Sequence, residues 1–89
     1  MPRNRMIEHY RLTPAAQSDL DGIWDYTART WSSAQADTYL RGLAGALDRI
    51  CQHPEIARER GDVVPPVRLH RFRSHLIIYR IEDDHIAVI

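Results

Sequence analysis

The sequence predicts an α+β domain in which a helical hairpin packs on one face of a small antiparallel sheet. Two stretches with apolar residues at helical spacing follow a short strand candidate, and the last third alternates apolar and polar residues as strands do. The link between the two helical stretches is only a few residues long, so the helices must fold back on one another as an antiparallel hairpin. The predicted order is β-α-α-β-β-β, in a single domain that spans residues 1–89.

A strand at residues 8–12 and a helix beginning at Pro14 are the first predicted elements. Thr13 suits the N-cap because its hydroxyl can accept a backbone hydrogen bond. Proline suits the next position, where the missing N–H costs nothing. The residues that recur every three or four positions form one stripe, which predicts a face packed in the core. They are Ala16, Leu20, Ile23, Trp24, Thr27 and Trp31.

A second helix follows almost at once and is predicted to end at His53-Pro54, because a residue before proline disfavours helix. Ser32 and Gln35 have the spacing of a capping box at its start. Its stripe consists of Ala36, Tyr39, Leu40, Leu43, Leu47, Ile50 and Cys51. Cys51 is the only cysteine, and its place at the end of the stripe predicts a buried thiol, not a nucleophile.

The remaining sequence predicts a loop at residues 55–66 and three strands at residues 67–72, 75–82 and 85–89. Arg73-Ser74 and Asp83-Asp84 mark the two turns. At the start of the chain, residues 1–6 are predicted to be disordered. At its end, the sequence stops inside an apolar strand, which leads us to expect a C-terminal truncation.

Composition limits the function classes. The formal net charge is zero, which argues against a free-standing, non-specific nucleic-acid binder. No apolar run approaches the roughly 20 residues that span a bilayer, so no membrane role is predicted. A single cysteine excludes an internal disulfide and fits a reducing, cytoplasmic location.

The charge is nevertheless unevenly placed, because residues 68–80 contain four arginines and two histidines and no acidic residue. Such a strip can bind carboxylates or phosphates through bidentate guanidinium contacts. A solvated sheet face with weak, scattered ion pairs explains the same pattern. Both interpretations stay open for Arg68, Arg71, Arg73 and Arg80.

The order of elements and several local strings resemble the ParE branch of the RelE/ParE toxin superfamily. The strings, spread from about residue 10 to residue 89, are LTPAAQSDL (12–20), IWDYT (23–27), W (31), AQA (34–36), YL (39–40), HPE (53–55), VR (67–68) and HLIIYR (75–80). In this family the last strand continues into a short motif with a basic residue, a histidine and another basic residue. That motif is associated with toxicity, and this sequence stops before it.

The resemblance implies the toxin of a type II toxin–antitoxin module, which inhibits DNA gyrase by binding and is neutralised by a ParD-like antitoxin. The spacing of the histidines offers no convincing third metal ligand, and we expect no catalytic residue, metal or cofactor. The candidates for contact with gyrase are the arginines Arg68, Arg71, Arg73 and Arg80. The candidates for contact with the antitoxin are Trp24, Tyr26, Tyr39, Leu40, Leu43 and Leu47, although aromatics at helical spacing are first of all core residues.

Two alternatives remain at this point. The RelE branch of the superfamily cleaves messenger RNA on the ribosome, and His70, His75 or His85 could supply a general base for such a reaction. The absence of lysine and of the family's terminal group counts against it. A truncated toxin that binds antitoxin without being toxic is the other alternative.

Overall fold

The computed structural model describes residues 9–89 and confirms the α+β class, with two helices packed on a five-stranded sheet. The elements are β1 (Tyr10–Leu12), α1 (Pro14–Thr30), α2 (Ser33–Gln52), β2 (Glu59–Arg60), β3 (Val67–Phe72), β4 (His75–Ile81) and β5 (Ile86–Val88). The predicted disorder of residues 1–6 lies outside the described residues. Within residues 9–89, neither helix is long and apolar enough to cross a membrane.

Both helix starts are capped as predicted. The Thr13 hydroxyl accepts a hydrogen bond from the Ala16 N–H at 3.1 Å, and the Ser32 hydroxyl accepts one from the Gln35 N–H at 3.0 Å. Helix α2 ends at its C-cap residue His53, immediately before Pro54. The link between the helices is Trp31-Ser32, in which Trp31 is the C-cap of α1 and Ser32 is the N-cap of α2. So short a link makes the two helices form the predicted hairpin.

The sheet has the strand order β1-β5-β4-β3-β2 and is mixed, because β1 runs parallel to β5 while the other pairs are antiparallel. The sequence prediction placed residues 59 and 60 in a loop, whereas they form β2 beside β3. This extra strand adds one more reversal of the chain before β5. With this additional reversal, β1 and β5 run parallel. In the predicted order of six elements, the first and last strands would run antiparallel.

The core lies between α2 and the middle of the sheet. Helix α2 contributes Leu43, Ala46, Leu47, Ile50 and Cys51, and the sheet contributes Ile77, Tyr79, Ile86 and Val88. Cys51 is buried as predicted, and burial, with the nearby charge of Asp48, raises the pKa of its thiol. A buried thiol with a raised pKa is a poor nucleophile.

Helix α1 departs from the predicted core. Among its described residues only Ala16 is buried, and Leu20 is half-buried against the core. The side chain of Trp31, expected in the core, is 74% exposed. Helix α1 packs mainly beside α2 and meets the sheet chiefly near β1, so most of its stripe does not pack on the middle of the sheet. The Trp24 indole instead donates a hydrogen bond to Asp37 on α2, with 3.0 Å between nitrogen and oxygen.

Two side chains of the sheet bind the segment that follows α2. Arg68 and Tyr79 are cross-strand neighbours and therefore lie on the same face of the sheet. The Tyr79 hydroxyl donates to the Pro54 carbonyl oxygen at 2.7 Å, and the Arg68 guanidinium donates to the Ala57 carbonyl oxygen at 2.6 Å. Each contact satisfies a main-chain acceptor outside the helices and strands, so together they fix the exit of α2 on the sheet.

Replacing Tyr79 by Phe tests this attachment. The change leaves the buried Pro54 carbonyl without its hydrogen bond, and we expect a loss of about 1–3 kcal/mol in the free energy of unfolding. Urea denaturation followed by circular dichroism measures the loss. Tyr26→Phe is the matched control, because Tyr26 is 65% exposed and should tolerate the same change without effect. Equal stability of the two variants would contradict the role given to Tyr79.

Candidate functional site

A groove of about 900 Å³ opens between the helical hairpin and the start of β4. Its lining is mostly apolar and includes residues from α1, α2 and the β3–β4 turn. The lining residues that matter below are Leu20, Gly22, Ile23, Tyr26, Trp31, Tyr39, Leu43, Leu47, Arg73 and His75. The groove exists because the apolar stripe of α1 lies beside α2 and not over the sheet.

The groove brings together four of the six residues predicted to bind a partner. Tyr26, Tyr39, Leu43 and Leu47 line it, and Tyr26 is the most exposed of them. Trp24 and Leu40 lie outside the lining. Trp24 is bonded to α2, and Leu40 packs against the core. Tyr26 and Tyr39 therefore remain candidates on geometric grounds, whereas Leu43 and Leu47 line the groove as buried core residues. Trp24 joins the two helices, and Leu40 supports the core.

Three lining residues were missed by the site prediction. Leu20, Ile23 and Trp31 were assigned to the core because they share one helical stripe. The stripe correctly indicates that this face of α1 needs an apolar neighbour, but it does not identify that neighbour. Within residues 9–89 the rest of the chain covers this face of α1 only in part, and the side chain of Trp31 in particular is exposed at the mouth of the groove.

The end of the groove is fixed by a cluster of rings. The Tyr39 hydroxyl and His75 Nδ1 are hydrogen-bonded, 2.6 Å apart, and the Tyr39 ring lies 5.4 Å from that of Phe72. Gly42 lets α2 approach this cluster closely, because a Cβ there would lie only 3.0 Å from the Phe72 ring. The cluster thus joins α2 to the β3–β4 hairpin and holds the turn beside the groove.

Arg73 lies in this turn with φ of 54°, a left-handed conformation that suits a two-residue hairpin loop. Its guanidinium carbon lies 5.5 Å from the centroid of the Phe72 ring, a cation–π distance. Arg73 also lines the groove. A positive charge therefore stands at the end of a mostly apolar groove, which Asp19 also lines.

The structure separates the four candidate arginines instead of clustering them. Arg68 lies on the helix side of the sheet and is bonded to Ala57. Arg71 and Arg80 lie on the opposite side by strand alternation. Arg80 forms an ion pair with Glu82 at 3.2 Å, whereas Arg71 is exposed. The four arginines that are close in sequence therefore lie in three different environments. One supports the fold, one lines the groove, and two lie on the sheet face away from the helices.

Of the three histidines considered for catalysis, His70 and His75 lie on the same face of neighbouring strands, because His70 pairs with Ile77 and His75 with Phe72. His85 lies apart from both. His75 begins β4 and is bonded to Tyr39, whereas His85 lies beyond the other end of that strand. Seven strand residues separate such ends by about 20 Å. His85 pairs with Asp84 at 2.8 Å, and this hydrogen bond lowers the pKa of the Asp84 carboxyl. Over the described residues, no group of three or more His, Cys, Asp or Glu is placed to hold a metal ion.

Comparison with known proteins gives a consistent picture. A family model described as the ParE toxin of the type II toxin–antitoxin system parDE matches residues 10–89. The match covers every helix and strand of the fold. It also includes the whole groove and all four candidate arginines.

Curated relatives agree with the family match. The chain is 41% identical over 79 residues to Toxin ParE1 of Mycobacterium tuberculosis H37Rv, covering 89% of this chain and 81% of the relative. It is 33% identical over 75 residues to Toxin ParE1 of Caulobacter vibrioides, covering 84% and 78%. Identity to Toxin ParE of Escherichia coli is 31% over 68 residues, covering 76% and 66%.

The different roles of the arginines can be separated by stability measurements. Arg68→Ala removes the hydrogen bond to Ala57, and we expect it to lower the free energy of unfolding by about 1–3 kcal/mol. Arg71→Ala changes an exposed side chain and should stay within about 0.5 kcal/mol of the parent. Chemical denaturation of both variants is the measurement. A stability loss at Arg71 as large as that at Arg68 would refute the assignment.

Proposed function

The chain belongs to the ParE family of type II toxin–antitoxin toxins, and we propose that it inhibits DNA gyrase by binding and is neutralised by a ParD-like antitoxin in the groove. Membership of a toxin–antitoxin family implies an antitoxin partner. The groove suggests where that partner binds. A cytoplasmic site of action follows from the proposed target, which works on chromosomal DNA.

The incompletely covered apolar stripe of α1 is the single observation that carries the antitoxin proposal, with Leu20 and Ile23 half-buried and Trp31 exposed. Leu20, Ile23 and Trp31 have helical spacing but line an open groove, with Tyr26 beside them. An amphipathic helix that enters such a groove uses apolar anchors at positions i, i+3, i+4 and i+7. Exposed Trp and Tyr side chains are the residues that most often dominate binding energy. The groove therefore has the composition expected for a helical segment of an antitoxin.

Binding, without chemistry, is supported by the positions of the polar groups. A general acid and a general base must face each other across a substrate to cleave RNA. Here His70 and His75 lie on one face of the sheet, but the His75 ring is bonded to Tyr39. His85 lies near the far end of β4, bonded to Asp84. Arg68, which could have stabilised a phosphate, donates to a main-chain carbonyl. These contacts favour a toxin that acts by occupying its target.

Removing the Trp31 side chain should weaken the antitoxin complex by about tenfold or more, because Trp31 offers the groove a large exposed apolar surface. The measurement is calorimetric titration with a ParD-like antitoxin from the same locus. Val64→Ala is the control, since Val64 is 92% exposed and lies outside the groove lining. Loss of affinity in both variants alike would contradict a specific role for the groove.

Filling the groove tests the same prediction from the other direction. A Cβ at Gly22 or at Gly45 meets no atom within 4 Å, and only Gly22 lines the groove. Gly22→Gln and Gly45→Gln should both strengthen their helices, by up to about 1 kcal/mol. Only Gly22→Gln should weaken antitoxin binding, because its side chain projects into the groove.

The proposed target is tested by a gyrase supercoiling assay on this chain and on a version extended with the family's basic–His–basic motif. We expect inhibition in the presence of DNA and its reversal by the antitoxin. A parallel assay follows cleavage of messenger RNA on ribosomes. Cleavage of the message, with supercoiling unaffected by either version, would replace the gyrase proposal by the RelE-type alternative.

A further inference from the structure

The helices cover one face of the sheet, and the opposite face is open. Because side chains alternate along a strand, the burial of Ile77 and Tyr79 places Leu76, Ile78 and Arg80 on that opposite face. We call it the open face. Strand pairing assigns it the side chains of Arg11, Arg60, Val67, Leu69, Arg71, Leu76, Ile78, Arg80 and Ala87. Arg60 is paired with Asp62.

The strand register orders these side chains. Arg80 lies opposite Ala87 on β5, and Ala87 lies opposite Arg11 on β1. The two arginines are therefore about 10 Å apart across a small residue, given the spacing of neighbouring strands. Arg11 is thus a further basic residue of the open face. It was not grouped with the other arginines because it lies far from residues 68–80 in the sequence.

Aliphatic side chains fill the middle of the open face. Leu69 lies opposite Ile78, and Leu76 lies opposite Arg71 at the end near the β3–β4 turn. The side chain of Leu76 is 53% exposed. An aliphatic centre with arginines around it is the arrangement of a binding surface, in which apolar contact gives affinity and charge gives orientation.

The acidic groups near the open face lie toward its other end. Glu82 pairs with Arg80. Asp84 lies in the β4–β5 turn, and the pKa of the Asp84 carboxyl is lowered mainly by its hydrogen bond with His85 and to a smaller extent by the charge of Arg11. Arg71, by contrast, forms no ion pair with any carboxylate in residues 9–89. Its only hydrogen bond there is a long one, 3.5 Å, to the Arg73 carbonyl oxygen.

We propose that the open face docks an acidic protein surface, with Arg11, Arg71 and Arg80 binding carboxylates around the aliphatic centre. A protein surface is favoured over DNA because the paired strand residues of the described open face include no Phe, Tyr or Trp for base stacking. The zero net charge of the chain points the same way. This proposal rests on the binding function above and locates the contact with gyrase on the face opposite the groove.

Charge reversal at Arg71 is the main test, measured as binding of the folded chain to purified gyrase by biolayer interferometry. Arg71→Glu should raise the dissociation constant about tenfold, chiefly through slower association, and 0.5 M salt should reduce the difference. Arg41→Glu is the matched control, because Arg41 is an exposed residue of α2 away from the open face. Arg11→Gln is a second variant, with Arg29→Gln on α1 as its control.

Weaker gyrase binding by the Arg71 and Arg11 variants, with unchanged antitoxin affinity and unchanged controls, supports the open face. Unchanged gyrase binding by both variants overturns this inference and leaves the proposed function intact. Failure of the parent chain to bind gyrase overturns both. Binding of the parent to a 40-base-pair DNA duplex alone, lost in the same variants, would replace the acidic protein surface by nucleic acid.

Discussion

The packing of α2 against the sheet is the constraint on which the rest of the structure depends. Leu43, Leu47 and Ile50 occupy the middle of the core, with Tyr79 opposite them on β4. A domain of this length has few residues with which to build a second layer. Once α2 covers the sheet, α1 is placed beside it, and both the groove and the open face follow from that placement.

The sheet holds α2 in this position through polar contacts as well as apolar ones. Arg68 and Tyr79 bind carbonyl oxygens just after the helix, and Tyr39 binds His75 at the β3–β4 turn. The first two contacts fix the end of α2, and the third fixes its first half. The groove wall is therefore rigid at both ends, which limits the conformational entropy that a partner would lose on binding.

The features that depend on local chemistry were predictable from the sequence. The caps at Thr13 and Ser32, the end of α2 at His53 and the turn at Arg73 were all predicted correctly, because each is decided by a few neighbouring residues. The two-residue strand β2 was not predicted, since residues 59 and 60 carry no apolar alternation. That omission alone changed the predicted direction of β1 relative to β5.

The candidate sites were harder to predict, because helical periodicity identifies an apolar helix face but not the part of the protein, or the partner, that packs against it. Trp31 and Leu43 belong to equivalent stripes, yet only Leu43 meets the sheet. Likewise Arg68 and Arg71 are three residues apart in one strand, and alternation sends them to opposite faces. Alternation was visible in the sequence, but the contact of Arg68 with Ala57 depends on the path of the chain after α2.

The two proposed surfaces meet at the β3–β4 turn. Arg73 lines the groove, whereas Arg71 and Leu76, its neighbours on either side of the turn, lie on the open face. Elsewhere the sheet separates the two surfaces, so a segment lying only along α1 would leave the open face accessible. A segment that reached Arg73 would extend to the edge of both surfaces. Neutralisation by occlusion therefore requires an antitoxin that follows the groove as far as the turn, where the ring cluster of Tyr39, Phe72 and His75 holds the hairpin in place.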